Sequence, residues 1–398
     1  MPAPPTFSRA RIVAEAVGLA IAAAILDVAW CVDRGWFELH VSEPFCTQRE
    51  PQLHRLLAVR LVLVAVATFV ALWLRPRVGR WAVRIGGKEA FLATLRMTVA
   101  AVLALVFVDL GLRAKNHIHP PPPFPPAPLP PTQPAPHVWW ASKTPSTTVM
   151  QVEGHDVTYT IDGDGFRSKT EQSTTDWNAP SILFAGESIT EGIGVDVDEA
   201  YPAIVARDLG VQSVPAAVHG YANDQVYLLG KWTLARLAHP VAVVTIVVPH
   251  LLSRDVSPAR ERLVVGGDGS LQPREQAPSW WLDSPVRRIG LSLVPYHDDS
   301  AVGLARTIFV ATAKEAEARG AYPLFVFTQW GDPCLPGDDS TPPIQGRLFD
   351  GVPVHWIDVE LDPATFDRTT FHPRADGQRK LADAIEKALR AGGIRPTE

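Results

Sequence analysis

The amino-acid sequence predicts an α/β domain with a parallel sheet covered by helices on both faces, preceded by a membrane region of three helices. Two observations predict it. The first 113 residues hold three apolar runs of membrane-spanning length. From Ala179 onward, short apolar and β-branched runs alternate with helix-like segments, a pattern that calls for parallel strands joined by crossover helices. Between the two regions lies a stretch too rich in proline to belong to either.

The apolar runs are Ile12 to Val32, Leu56 to Leu74 and Phe91 to Leu112, each near the roughly 20 residues that cross about 30 Å of hydrocarbon. Asp27 interrupts the first, and no small-residue cleavage site follows cleanly, so it reads as a span and not as a signal peptide. Trp30 stands where a lipoprotein signal would need a small residue ahead of Cys31. Arg75, Arg77, Arg80, Arg84 and Lys88 crowd the second connection, whereas Asp33, Glu38, Glu43 and Glu50 occupy the first. By the excess of cations the second connection faces the cytoplasm, and three crossings leave everything after Leu112 outside it. Charges within the spans are expected to pair at matching depth, Glu15 with Arg96 and Arg60 with Asp27 or Asp109.

Residues 120–136 contain eleven prolines in seventeen positions, which favours an extended spacer of about 50 Å at about 3.1 Å per residue. The expected division is a membrane region at 1–116, a linker at 117–140 and an α/β domain at 141–398, with an insertion at 256–300 that breaks the alternation. Gly266-Gly267-Asp268-Gly269 within the insertion signals a hairpin turn.

Expected strands in the domain are Ser181 to Ala185, Val241 to Val248, Leu324 to Thr328 and Val354 to Asp358. The helices fall near Glu199 to Leu209, Asp224 to Leu237, Val302 to Arg319 and Gln378 to Ala391. A formal net charge of −5 without a basic stripe excludes nucleic acid as a partner. Cys31, Cys46 and Cys334 lack paired zinc-site spacing, so no metal or cofactor is expected, and one bridge at most, Cys31 to Cys46.

The first strand of the domain stops at Gly186, and a polar loop delivers Ser188 at its carboxyl end. A serine in this place caps a helix or serves as a nucleophile, and the residues alone leave both open. Gly186-Glu187-Ser188-Ile189-Thr190 with Gly192 resembles the first block of the SGNH/GDSL hydrolases, with glutamate in place of the usual aspartate. Asp162-Gly163-Asp164-Gly165-Phe166-Arg167 resembles an element that precedes this block in membrane-tethered members, although a plain β-turn also explains its glycines.

The resemblance covers about Thr160 to Arg390 and implies a flavodoxin-like, three-layer α/β/α serine esterase. It makes Ser188 the nucleophile and His372, in Thr370-Phe371-His372-Pro373, the base. It implies an oxyanion hole from the backbone N–H groups of Ser188 and Gly220 and a third-block asparagine. Here His250 occupies the asparagine's place, and a neutral imidazole N–H can donate in its stead. Asn223 is a weaker substitute.

The family's acid lies three residues before the histidine, where this chain has Thr369, so Asp367 is the nearest carboxylate, against the alternative of no acid at all. Glu187 is expected to brace the loop around Ser188. The resulting expectation is a membrane-anchored, extracytoplasmic esterase acting on acylated glycan or lipid. An acyltransferase using the same serine and a catalytically silent glycan-binding or scaffold protein are the alternatives.

Overall fold

A computed structural model describes residues 9–31, 49–81, single positions between 83 and 114, and 129–135, 138–249, 251–255, 263–274, 298–330, 344–367, 370 and 372–395. The chain divides into two compact units, one containing the N-terminal helices and the other the sheet.

In the first unit, helix Arg9–Cys31 and helix Arg49–Phe69 carry the first two apolar runs, and the second continues through a π-helical segment, Val70–Leu74. Two stretches, Arg11–Trp30 and Leu56–Trp81, are long and apolar enough to cross a membrane. Their apolar side chains mostly point outward; Val13, Leu61 and Val62 are each about 60% exposed, which no aqueous surface favours over that length. The described positions of the third expected span are helical.

Two pairs form within one helix, Arg11 Nε donating to Glu15 at 2.8 Å and Arg113 Nε to Asp109 at 2.7 Å, while Arg60 donates to the Trp30 carbonyl of the neighbouring helix at 3.2 Å. Arg96, the partner expected for Glu15, is exposed. A spacing of four residues needs no second helix to bring the two charges together. The Cys31 to Cys46 pairing lies outside the described residues.

The second unit opens with an antiparallel ribbon, β1 (Thr132–Ala135) and β2 (Trp139–Ser142). The end of the proline-rich stretch is therefore sheet and not extended spacer. A two-stranded ribbon has an open edge on each strand, so Pro134 can face outward without breaking the ladder. A three-stranded antiparallel sheet follows, built from β3 (Ser146–Val152), β4 (His155–Ile161) and β5 (Arg167–Ser168).

The central sheet contains β6 (Pro180–Gly186), β7 (Gln212–Ala217) and β8 (His239–Val247). After the hairpin β9 (Leu263–Val265) and β10 (Leu271–Pro273) of the insertion, it is completed by β11 (Tyr322–Trp330) and β12 (Trp356–Leu361). The order across it is β7-β6-β8-β11-β12, all parallel, which is 2-1-3-4-5 in chain order. Such a doubly wound sheet reverses direction between its first and third strands, and ligands bind outside the carboxyl ends there.

Successive side chains of β6 alternate between faces. Ile182 and Phe184 pack with helices Tyr201–Leu209 and Ala375–Ala391, while Leu183 packs on the opposite face with Leu234 and Ala316 from helices Asn223–Arg236 and Asp298–Ala318. Each fully buried large apolar side chain contributes about 1.5–3 kcal/mol. The two faces thus fix β6 before any polar contact is counted. Four strands were legible as apolar runs; β7, at the sheet edge, was not, because Gln212, Ser213 and Pro215 interrupt its pattern.

Candidate active site

The carboxyl end of β6 lies at the switch point of the sheet, and the chain turns there within a few residues. A Cβ on Gly186 would overlap the Thr190 side chain, so the turn accepts only glycine. Glu187 caps the one-turn helix Ser188–Glu191, its Oε1 accepting from Ile189 N–H at 3.3 Å. Gly192, at φ +74°, ends the helix in the left-handed region. The Glu187 Oε2 also accepts the Ser188 hydroxyl. Ser188 itself is 7% exposed, buried but reachable.

Opposite Ser188 stands His372, 184 residues later, with Nε2 at 2.7 Å from Oγ. Its Nδ1 lies 2.7 Å from the carbonyl oxygen of Thr370. A carbonyl only accepts, so Nδ1 carries a proton and Nε2 of the neutral ring is left to take the serine's. Burial pulls the imidazole below the ordinary histidine range, outweighing the opposing charge of Glu187.

Asp367 does not orient the ring. Its carboxylate is 1% exposed and turned onto its own loop, accepting from the Thr370 N–H and hydroxyl and, at 3.3 Å, from the His372 backbone N–H. The Asp367 N–H in turn donates to the His372 carbonyl at 3.0 Å. Five residues of separation close a tight turn in which the nearest donors are main-chain groups, and these capture the carboxylate before the ring can. A backbone carbonyl takes the acid's place at Nδ1.

Of the expected oxyanion groups, Ser188 heads its short helix, and Gly220 follows β7 at φ +80° with the Trp140 ring beside it. His250 lies outside the described residues, as does Thr369. The Asn223 amide is committed elsewhere, donating to Asp255 at 2.7 Å. Burial and the neighbouring Asp224 push the Asp255 carboxyl well above the usual range.

Four further residues hold the site, and the motif reading missed their roles. Arg167 is buried and donates to the carbonyls of Glu191, at 2.9 Å, Gly192 and Val195, tying off the nucleophile loop. Gln378, in the last helix, accepts from Tyr201 N–H at 3.0 Å and donates to the Ile189 carbonyl at 3.3 Å, joining the helix that follows the histidine to the serine's. Glu191 accepts from the backbone N–H of His219 at 2.7 Å, and its oxygen lies 3.0 Å from that ring's Nδ1. Burial pulls the His219 imidazole down, but the Glu191 carboxylate, by charge and hydrogen bond, prevails and raises it. Arg254 lies 3.8 Å from Glu187 Oε2 and donates to the Tyr221 carbonyl at 2.9 Å.

Only Arg167 left a trace in the sequence, as the last residue of the Asp162 to Arg167 element. Among the described residues, no group of three or more His, Cys, Asp or Glu is placed to hold a metal ion. Chemically, the arrangement offers a hydroxyl, an imidazole ready to take its proton, and a carboxylate on the hydroxyl's other side.

No family model matches the chain, and no curated protein matches it. Among solved structures it is similar to an acetyl xylan esterase, Est2A, from the rumen bacterium Butyrivibrio proteoclasticus, at 12% identity and a TM-score of 0.31. That match covers 55% of this chain and 66% of the other, so the chain spans slightly less than two thirds of the esterase's length.

Proposed function

We propose that this chain is a serine ester hydrolase of SGNH type, with Ser188 as nucleophile and His372 as general base. The observation that carries the reading is the 2.7 Å approach of His372 Nε2 to Ser188 Oγ, with the ring's other nitrogen held by a carbonyl. In the attack, the Ser188 hydroxyl proton passes to Nε2 as Oγ bonds to the ester carbonyl carbon. The backbone N–H groups of Ser188 and Gly220, with the side chain of His250, are assigned to the oxyanion. The protonated ring then returns its proton to the departing alcohol, and water, activated by the same nitrogen, releases the acid.

The proposal includes three N-terminal spans, a cytoplasmic second connection and a catalytic unit outside the cytoplasm. It is supported by two helices long and apolar enough to cross a membrane and by the crowding of cations between Arg75 and Lys88. From that location, the ester-linked acyl groups of surface glycan or lipid are the assigned substrate class. Labelling of the full chain by a fluorophosphonate, lost in Ser188→Ala, is the expected result. An unlabelled wild-type protein would leave the binding-protein alternative standing and end the hydrolase reading.

A further inference from the structure

The Ser188 hydroxyl has one proton and two acceptors. Thr370 fixes the proton of His372 on Nδ1, so the neutral ring presents a lone pair at Nε2, 2.7 Å from Oγ. Glu187 Oε2 presents another acceptor to the same oxygen. With Glu187 ionised and His372 neutral, the two contacts to Oγ cannot both be hydrogen bonds on a single hydroxyl proton. One further proton resolves the conflict. Placed on Nε2, it gives an imidazolium donating to Oγ while Oγ donates to Glu187; placed on Glu187, it gives a carboxyl donating to Oγ while Oγ donates to Nε2.

We propose that Glu187 and His372 share this proton through Ser188, so that Glu187 is a positioning residue that sets the pH at which the serine becomes free to donate to its base. The two groups then titrate as a coupled set, and loss of the shared proton belongs to neither alone. The groups facing the set come from every element around it. Arg254 stands beside Glu187 at 3.8 Å, and His219 and Tyr201 feel its charge. Asp367 and Glu191 act on His372 from the loop and helix packed against it. Burial disfavours the imidazolium, and the Glu187 carboxylate is the foremost group favouring it.

The glutamate matters for its reach. Its side chain both caps the helix at Ile189 and touches the hydroxyl of the next residue. The inference rests on the hydrolase reading for its catalytic meaning, but its physical content is a proton shared between two named groups.

The test uses the full chain in detergent, with histidine ring carbons isotopically labelled and the His372 resonance identified by its absence in His372→Asn. In Glu187→Gln the His372 titration midpoint should fall by about one pH unit, because the charge stabilising the imidazolium is gone. In Glu187→Asp, which keeps the charge but withdraws it, the fall should be smaller. A midpoint unmoved or raised in Glu187→Gln overturns the proposal, and if that variant does not fold, an unmoved midpoint in Glu187→Asp does so. The fluorophosphonate experiment is independent of this one. Failure of wild-type labelling sinks the hydrolase reading, while the midpoint still decides whether the proton is shared.

Discussion

Each of the two loops that meet at the reacting pair carries a buried carboxylate just ahead of its reacting residue, and these two do opposite things. Glu187, one residue before Ser188, touches the serine hydroxyl itself. Asp367, five residues before His372, touches the loop's backbone and the Thr370 hydroxyl but not the imidazole. Both are 1% exposed, so burial does not tell them apart. What differs is which donors stand nearer. In the short helical turn at Ser188 the side-chain hydroxyl is in range, whereas the turn ahead of His372 aims its N–H groups at the carboxylate first. A carboxylate near a catalytic residue in sequence is therefore a claim about turn geometry, not about charge.

The comparison presumes a reacting pair between the two loops, and removing either member should have the largest effect. Ser188→Ala or His372→Ala should lower turnover of a model ester by about 10⁴-fold or more. Losses that small multiples describe would break the comparison at its base. Next comes Asp367. If it oriented the ring, Asp367→Asn would cost on the order of 10⁴ in kcat. As a backbone brace it should cost within about tenfold in kcat, while Asp367→Ala lowers unfolding stability by about 1–3 kcal/mol, since buried N–H groups lose their acceptor. Kinetics on Asp367→Asn and denaturant melts on Asp367→Ala separate the two roles.

The pH dependence sharpens the contrast further. Because His372 is held below its ordinary value, its base form persists into mild acid. The acid limb of kcat/KM should lie below the ordinary histidine value of about 6.5. The same shift makes the unfolded state bind more protons than the native one below about pH 6.5, so stability falls as pH drops through that window. A limb above about pH 7 would contradict the burial argument. The smallest effect belongs to Thr370→Val, which removes the hydroxyl that donates to Asp367 but leaves the carbonyl at Nδ1. About 1 kcal/mol of stability and little change in rate are expected.

The legible parts of this chain are those where one residue type has one physical use. The run Ser181 to Ala185 could only be a strand buried on both faces, and Gly186 could only precede a close approach. His372 was legible from its place ahead of an amphipathic terminal helix. The partner of its Nδ1 was not, since a backbone carbonyl leaves no mark in the residue types. Gln378 and Arg254 were equally silent: a glutamine and an arginine on helices read as solvated faces until the fold brings Ile189 and Glu187 against them. The fifth strand escaped because an edge tolerates the proline and polar residues that a central strand excludes.

The Arg167 clamp bears on how the site comes into being. A fragment beginning at β6 would contain the serine, the histidine and all five strands of the central sheet. It would still lack the cation that gathers the carbonyls of Glu191, Gly192 and Val195. Those carbonyls lie 24 to 28 residues from the arginine, so closing the nucleophile loop is a non-local event in folding. The nucleophile loop is therefore tied to the small antiparallel sheet ahead of it as well as to the strand that delivers the serine. A catalytic unit cut at β6 would thus carry the reacting pair without the brace that holds its loop.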